Sequence, residues 1–206
     1  MTKVRELLET ELDALKEVAN IGAGHAATAL SQLTDRRIMI DVPQVQVCAI
    51  EDAPSAVRDT DAVVAAILMH VLGDLTGRSL LLFSREGALV LVDMLLKKEP
   101  GTTKIFSELE QSALKETANI LTGAYLNALS DFLGVMLLPS VPSLAVDLCA
   151  AVLSTTYLNF GQDRDRVIIL DTRFRFEPGD HSLSGHFVLL PDPSSLEVIL
   201  KAIRLV

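Results

Sequence analysis

The strongest constraint on the fold is a repeat within the chain. The octapeptide Ala-Leu-Lys-Glu-Val-Ala-Asn-Ile at residues 14–21 returns at residues 113–120, ninety-nine positions later, with Thr117 in place of Val18 as its single change. The same spacing relates Gly24 to Gly123 and the Val-Pro pair at 42–43 to the one at 141–142. The chain is therefore predicted to be an internal duplication, a single domain 1–206 with halves of about 1–100 and 101–206.

Composition limits the class of protein. Of the 206 residues, 50% are hydrophobic and 22% are charged, so the chain is long enough for a sizeable core and is typical of a globular protein. Its formal net charge of -9 disfavours a nucleic-acid binder, because neutralising a phosphate backbone takes clustered Lys and Arg. We expect protein partners and no nucleic acid.

The N-terminus, the apolar runs and the cysteines indicate the location of the protein in the cell. Residues 1–9 carry charges where a secretion signal needs an apolar segment. The longest apolar runs, 62–72 and 87–96, are shorter than the roughly 20 residues of a membrane span. Cys48 and Cys149 form neither a CxxC pair nor a spacing typical of a zinc site. These features predict a cytoplasmic protein without membrane insertion and without a metal of its own.

Two long helices are predicted, each with a buried row and a polar row. In the first helix, steps of four, three and four residues relate the apolar residues Leu8, Leu12, Leu15 and Ala19. The same steps relate a neighbouring polar row, which consists of Asp13, Glu17, Asn20 and Gly24. The second half repeats that row as Ser112, Glu116, Asn119 and Gly123. Ser107 and Glu110 predict a capping box at the start of the second helix.

The glycines after Asn20 leave two alternatives open. Gly22 and Gly24 are typical of a helix end, but residues 23–33 are good helix formers and favour continuation. In a continuous helix, a small residue one turn after Asn20 lets another protein's backbone or a phosphate approach closely. Neither GxGxxG nor GxxxxGK[ST] occurs, so nucleotide binding is not predicted.

The remaining pattern predicts strands and two shorter helices. Strand character runs over 38–50 and 135–138, near the two Val-Pro pairs, and again over 166–176. A strand over 80–83 followed by a helix over 87–96 resembles a strand over 187–190 followed by a helix from about Ser194. Residues 97–103 are predicted to link the halves, and residues 180–185 to turn a hairpin. Residues 143–160 have no clear counterpart and are predicted to include a helix. The fold class is α/β (α+β), with a mostly antiparallel sheet flanked by the long motif-bearing helices.

A Glu-x-x-Asn pair on a helix is usually no more than solvated surface. Here both copies keep it, and asparagine is a mediocre helix former that neither packing nor propensity favours. Retention of exposed-type residues in both copies indicates a function at the surface, although a structural constraint on both copies is the alternative.

The two motifs resemble those of the CheC/CheX/FliY chemotaxis phosphatase family, and the resemblance is strongest to its CheC-type members. The resemblance extends over essentially the whole chain. It rests on the pattern Asp/Ser-x3-Glu-x2-Asn-x3-Gly, present as Asp13, Glu17, Asn20 and Gly24 and as Ser112, Glu116, Asn119 and Gly123. The additional C-terminal domain of FliY-type members is not expected here.

This resemblance implies hydrolysis of the aspartyl phosphate on the response regulator CheY. Asn20 or Asn119 is then expected to position the attacking water, and Glu17 or Glu116 to anchor the partner through a cation of the regulator's site. No cofactor of its own is implied, and the Mg²⁺ is expected to belong to the regulator. Which of the two motif sites dominates is left open.

A second function class follows from the same resemblance. CheC-like proteins also bind the receptor deamidase CheD, and the implied surface lies on the extra helix within 143–160. Asp147 is the residue expected to take part, although a carboxylate that merely favours a helix N-terminus is an equally good interpretation. The protein is then an adaptor with weak phosphatase activity.

Overall fold

The computed structural model describes residues 8–56, 61–160, 166–177 and 181–203. The helices are α1 (Glu9–Thr34), α2 (Ala53–Ala56), α3 (Arg85–Leu95), α4 (Glu108–Leu133), α5 (Cys149–Phe160) and α6 (Pro193–Ile203). The strands are β1 (Arg37–Ala49), β2 (Val63–Gly73), β3 (Gly77–Ser84), β4 (Leu137–Pro139), β5 (Ser143–Leu148), β6 (Arg166–Glu177) and β7 (His181–Pro191). A short 3₁₀ turn, Ile50–Asp52, joins β1 to α2. In the described ranges, no helix combines the length and the apolar character that a membrane crossing needs.

All seven strands join one sheet, and every pairing in it is antiparallel. The order is β1-β6-β7-β3-β2, and β4 and β5 both pair with β2. Strands from the first part of each half thus pair with a strand of the other half. In the sheet, β1 pairs with β6, and both β4 and β5 pair with β2. The predicted fold class, a mostly antiparallel sheet flanked by long helices, is confirmed.

The two halves correspond element by element. Helices α1 and α4 each have 26 residues and keep the ninety-nine-residue spacing of the repeated octapeptide. Residues 143–160 do have a counterpart, which corrects the sequence prediction. Strand β5 stands ninety-nine residues after the 44–49 segment of β1, and α5 follows β5 as the 3₁₀ turn and α2 follow β1. The origin of the halves in a duplication stays an interpretation.

Two further predictions about this part of the chain are wrong. Asp147 lies in β5 opposite Val64 of β2, because the 143–148 backbone pairs with β2, and the helix begins only at Cys149. The expected antiparallel hairpin is present as β6 and β7, but residues 181–185 lie in β7 and not in its turn, since their backbone pairs with β6 and β3. Residue 180 lies outside the described residues.

The sheet carries a core on each of its two sides. The larger core lies under α1 and α4 and contains buried residues of both helices together with Ile67, Leu81, Phe174 and Phe187. The smaller one lies under α5 and contains Cys149, Leu153, Leu80, Leu82 and Val188. In β6, Phe174 and Phe176 are buried while Arg173 and Arg175 are exposed, so the alternation of charged and apolar residues over 172–176 puts one face in the core and the other in solvent. The motif helices therefore rest on one side of the sheet, and α5 rests on the other.

Candidate functional site

The start of α4 is fixed by the predicted capping box. The N–H of Ser107 donates to the Glu110 carboxylate at 3.1 Å, and the Ser107 hydroxyl also contacts that carboxylate. Lys98, in the segment that links the halves, donates to the same carboxylate at 2.8 Å. The hydrogen bonds from Lys98 and then from Ser107 lower the pKa of Glu110 to about 2. At the start of α1, the N–H of Leu8 donates to Glu11 at 2.6 Å.

Both glycines of the first motif lie inside a continuous α1, so the helix does not end at them. Gly22 is buried, and a Cβ there would lie 2.9 Å from a ring carbon of Tyr125 and 3.0 Å from the carbonyl oxygen of Ala124. A Cβ on Gly24 or on Gly123 would meet no atom within 4 Å. Glycine inside a helix costs about 1 kcal/mol relative to alanine. Packing explains Gly22, and it does not explain Gly24 or Gly123.

The motif side chains form one outward row on each long helix. On α1, Asp13, Glu17 and Gly24 are exposed and Asn20 is half-buried; on α4, Ser112, Glu116 and Asn119 are exposed and Gly123 is half-buried. The neighbouring rows are buried and consist of Leu15, Val18 and Ala19 in α1 and of Leu114, Thr117 and Ala118 in α4. The structure thus keeps the polar row apart from the packed row in both copies.

Two positions of the octapeptide have a burial that their side-chain polarity does not predict. Thr117 is buried like Val18, and its hydroxyl donates to the carbonyl of Ala113 at 2.9 Å, so the polar group has a partner inside its own helix. Ile21 fits helix packing in the sequence, but its side chain is 48% exposed. The helix surface next to Asn20 is therefore more exposed to solvent than the apolar character of Ile21 predicts.

The glutamates of both motifs are available to a partner. To the described residues, neither Glu17 nor Glu116 makes an ion pair or a hydrogen bond. An exposed carboxylate without an internal cation is suited to pair with a cation of another molecule. In the parts of the chain that the structure describes, no group of three or more His, Cys, Asp and Glu side chains is arranged to hold a metal ion.

The asparagines of the two motifs have different surroundings. The Asn20 side chain accepts a hydrogen bond from the N–H of Val42 at 3.0 Å and donates to the carbonyl of Lys16 at 3.0 Å. The Asn119 side chain makes no hydrogen bond to the described residues. Sequence reasoning missed Val42 as part of the first site. The available signal was the Val-Pro pair, which follows the asparagine at the same distance in both halves.

Asp147 belongs to a separate surface. It is exposed on β5, and its carboxylate accepts from the N–H of Leu148 at 2.7 Å. Residues directly opposite each other in a sheet share a face. Its partner Val64 belongs to the core under α5, so Asp147 lies on the α5 side of the sheet and the motif rows lie on the other side.

The chain matches the model of the CheC-like family over residues 11–47 and again over 109–146. Each matched segment contains one motif and extends beyond its Val-Pro pair, and the two segments end ninety-nine residues apart, as the repeat does. In structure, the chain is similar to FliY of Thermotoga maritima, with a TM-score of 0.78 at 20% identity and coverage of 97% of this chain and 98% of that one.

Two relatives of Bacillus subtilis (strain 168) are similar in sequence. The flagellar motor switch phosphatase FliY is 28% identical over 129 residues, which is 62% of this chain and 33% of the relative. The CheY-P phosphatase CheC is 33% identical over 197 residues, which is 95% of this chain and 94% of the relative. With that identity over nearly its whole length and a family match on both motif segments, the chain belongs to the CheC-like family.

Proposed function

We propose that this protein hydrolyses the aspartyl phosphate of a phosphorylated response regulator of the CheY class, in the cytoplasm. The observation that carries the proposal is the pair of outward rows on α1 and α4, each with an exposed glutamate, an asparagine and a glycine that packing does not require. The similarity to the Bacillus subtilis CheY-P phosphatase CheC supports it.

The reaction needs water at the right place more than it needs covalent chemistry. The water oxygen forms a bond to phosphorus while the bond to the aspartyl oxygen breaks. The products are a free aspartate carboxylate and inorganic phosphate, and the protons of the water pass to phosphate and solvent. An asparagine amide orients the water through one acceptor and one donor and brings no negative charge near the phosphoryl oxygens.

The glutamate of each motif serves as an anchor in this proposal. Glu17 or Glu116 pairs with a cation beside the regulator's phosphorylation site, and this contact sets the distance between the asparagine and the phosphorus. The Mg²⁺ that compensates the phosphoryl charge belongs to the regulator, and this protein supplies no cofactor. Gly24 and Gly123 leave room for the regulator's backbone against the helix.

The direct test is the decay of phosphorylated CheY, measured as release of inorganic phosphate with and without this protein. We expect faster decay with the protein, and loss of most of the acceleration when Asn20→Ala and Asn119→Ala are combined. A double variant as active as the wild type would refute the water-positioning role. Unchanged decay with the wild-type protein would refute the phosphatase activity itself.

A second candidate function is binding of the receptor deamidase CheD, and one observation favours it. Strand β5 is an edge strand with exposed Val146, Asp147 and Leu148, and of these Asp147 lies on the side of the sheet away from the motif rows. An edge of this kind is a ready surface for a protein partner. We expect Asp147→Lys to abolish capture of purified CheD and to leave the hydrolysis of phosphorylated CheY intact. Undiminished capture by this variant would exclude Asp147 from the interface.

A further inference from the structure

The two motif asparagines occupy equivalent positions and serve different purposes in the folded chain. Both polar groups of the Asn20 side chain are in use, since Oδ1 accepts from Val42 N–H and Nδ2 donates to the Lys16 carbonyl, each at 3.0 Å. Asn119 is exposed, and no described residue forms a hydrogen bond with its side chain. Of the two amides, only that of Asn119 has all its donors and acceptors free of bonds to the described residues.

A bulge in β1 explains the use of Asn20. The pairing of β1 with β6 passes from Asp41 opposite Arg173 to Gln44 opposite Asp171, so Val42 and Pro43 together face a single residue of β6. The extra residue of a bulge lacks a ladder partner, and a backbone N–H without a partner is costly in a buried position. The Val42 side chain is 1% exposed. Asn20 therefore supplies the acceptor that the bulge needs.

The second half solves the equivalent problem without its asparagine. There the Val-Pro pair lies in the break between β4 and β5, and the Val141 side chain is 87% exposed. The hydrogen bonds at this break join Ser140 to His70 of β2: Ser140 N–H donates to the His70 carbonyl, and His70 N–H donates to the Ser140 hydroxyl oxygen, both at 2.9 Å. Asn119 takes no part in them.

We infer that Glu116 and Asn119 form the working site for dephosphorylation, and that Asn20 is first a structural residue that holds α1 against the bulge of β1. This inference rests on the proposed phosphatase function and assigns it to one of the two motifs. For Asn20 to turn its amide towards a docked regulator, its bond to Val42 must break and leave that N–H without an acceptor. Without that turn, a water can use only the second lone pair of Oδ1 and the second hydrogen of Nδ2, in the orientation that the fold imposes. The second site carries no such penalty. Glu17 remains a docking contact, because it is exposed and unpaired among the described residues.

Single substitutions of the two asparagines separate the roles. We expect Asn119→Ala to reduce the acceleration of phosphorylated CheY decay on the order of 10²-fold, with an unchanged Tm. Asn20→Ala should lower Tm by roughly 2–10 °C and reduce the acceleration by less than about threefold where the protein is folded. Asn127→Ala is the matched control, since Asn127 is an exposed asparagine of α4 outside the motif. A rate loss in folded Asn20→Ala as large as in Asn119→Ala would overturn the inference.

A second pair of variants covers the case in which Asn20→Ala does not fold. Asn20→Asp keeps an oxygen that accepts from Val42, and Asn119→Asp is its match in α4. The carboxylate at 119 brings a negative charge to the phosphoryl group and removes the donor to the water, so this variant should lose activity on the order of 10²-fold. Asn20→Asp should lose less than about threefold. Equal losses would overturn the inference.

Amide hydrogen exchange gives a readout that does not depend on activity. Asn20→Ala should speed exchange of the Val42 amide, while Asn119→Ala should leave the Val141 amide unchanged. Unaltered Val42 exchange in folded Asn20→Ala would overturn the structural role of Asn20. If the wild-type protein does not accelerate decay of phosphorylated CheY, the proposed function fails and the working-site assignment fails with it, while the exchange experiment still decides the role of Asn20.

Discussion

The long helices α1 and α4 have equal length, but the motif row on their outer faces differs less between them than the packed inner face does. On the inner faces, buried residues differ at five equivalent positions: Val18 and Thr117, Gly22 and Leu121, Ala23 and Thr122, Ala26 and Tyr125, and Ala27 and Leu126. In the motif row on the outer faces, the glutamate, the asparagine and the glycine are the same in both helices, and Asp13 differs from Ser112. Other exposed positions have changed, as at Thr28 and Asn127 and at Gln32 and Asp131. Surfaces without a function usually tolerate substitution better than cores do. Retention of the glutamate, the asparagine and the glycine on surfaces that have otherwise changed indicates that a constraint outside the fold acts on the motif row.

The inner faces remain packed because their changes compensate. Gly22 lies against Tyr125, and the equivalent positions hold Leu121 and Ala26, both fully buried in the same core. In both pairs α1 contributes the small residue and α4 contributes the large one. A large side chain on one helix matched by a small one on the other keeps the core volume while the sequence diverges.

The largest expected effect comes from breaking this compensation with Gly22→Ala. The new Cβ would lie 3.0 Å from the carbonyl oxygen of Ala124, a backbone atom that cannot move without shifting α4. We expect the free energy of unfolding to fall by roughly 1–3 kcal/mol, although alanine favours the helix. Urea denaturation measures the change. A variant as stable as the wild type would mean that α1 and α4 do not approach as closely as the structure has them.

The next effect concerns the start of α4, where Lys98 hydrogen-bonds the capping carboxylate of Glu110. The pKa of Glu110 lies near 2 in the folded protein against 4.5 for the free side chain, because Lys98 and Ser107 hydrogen-bond the charged form. A lowered pKa stabilises the fold above the unfolded value, and this contribution is lost as the pH falls from about 4.5 towards about 2. We expect Glu110→Gln to lower Tm at pH 7 and to flatten the acid limb of Tm against pH. An acid limb as steep as that of the wild type would assign the pH dependence to other carboxylates.

The two long helices, the start of α4 and the two-sided character of β6 could be predicted from the sequence, because each depends on residues that are close together in the chain. The steps of three and four residues, the capping box at Ser107 and Glu110, and the strand alternation at Phe174 and Phe176 are all local patterns. The Asn20–Val42 hydrogen bond and the placement of Asp147 in a strand depend on which chain segment lies alongside. These neighbours are set by the pairing of strands from one half with strands from the other, and no local sequence pattern predicts that pairing.

A smaller effect of opposite sign is expected from Gly24→Ala, two residues from Gly22. Its Cβ meets open space, so the gain in helix propensity should raise the free energy of unfolding by about 0.5–1 kcal/mol. If Gly24 is kept for a docking partner, the same change should weaken binding of phosphorylated CheY at the first motif. Gly123→Ala is the matched change on α4 and should reduce hydrolysis more, if the second motif is the working site. A stabilised variant with undiminished binding and hydrolysis would remove the glycines from the docking surface.

The smallest effect is expected when the single change inside the octapeptide is reversed by Thr117→Val. Both side chains have nearly the same shape and the site is buried, so no cavity forms. The Thr117 hydroxyl donates to the Ala113 carbonyl, and this carbonyl also has the helical N–H of residue 117 as its partner. Removal of the hydroxyl therefore leaves no polar group unsatisfied, and the free energy of unfolding should change by no more than about 0.5 kcal/mol.

The mirror change Val18→Thr should likewise be tolerated, since its hydroxyl can donate to the Ala14 carbonyl of its own helix. Thermal denaturation of the two variants decides the point, and a loss above about 2 kcal/mol in either would show that the inner faces are not interchangeable at this position.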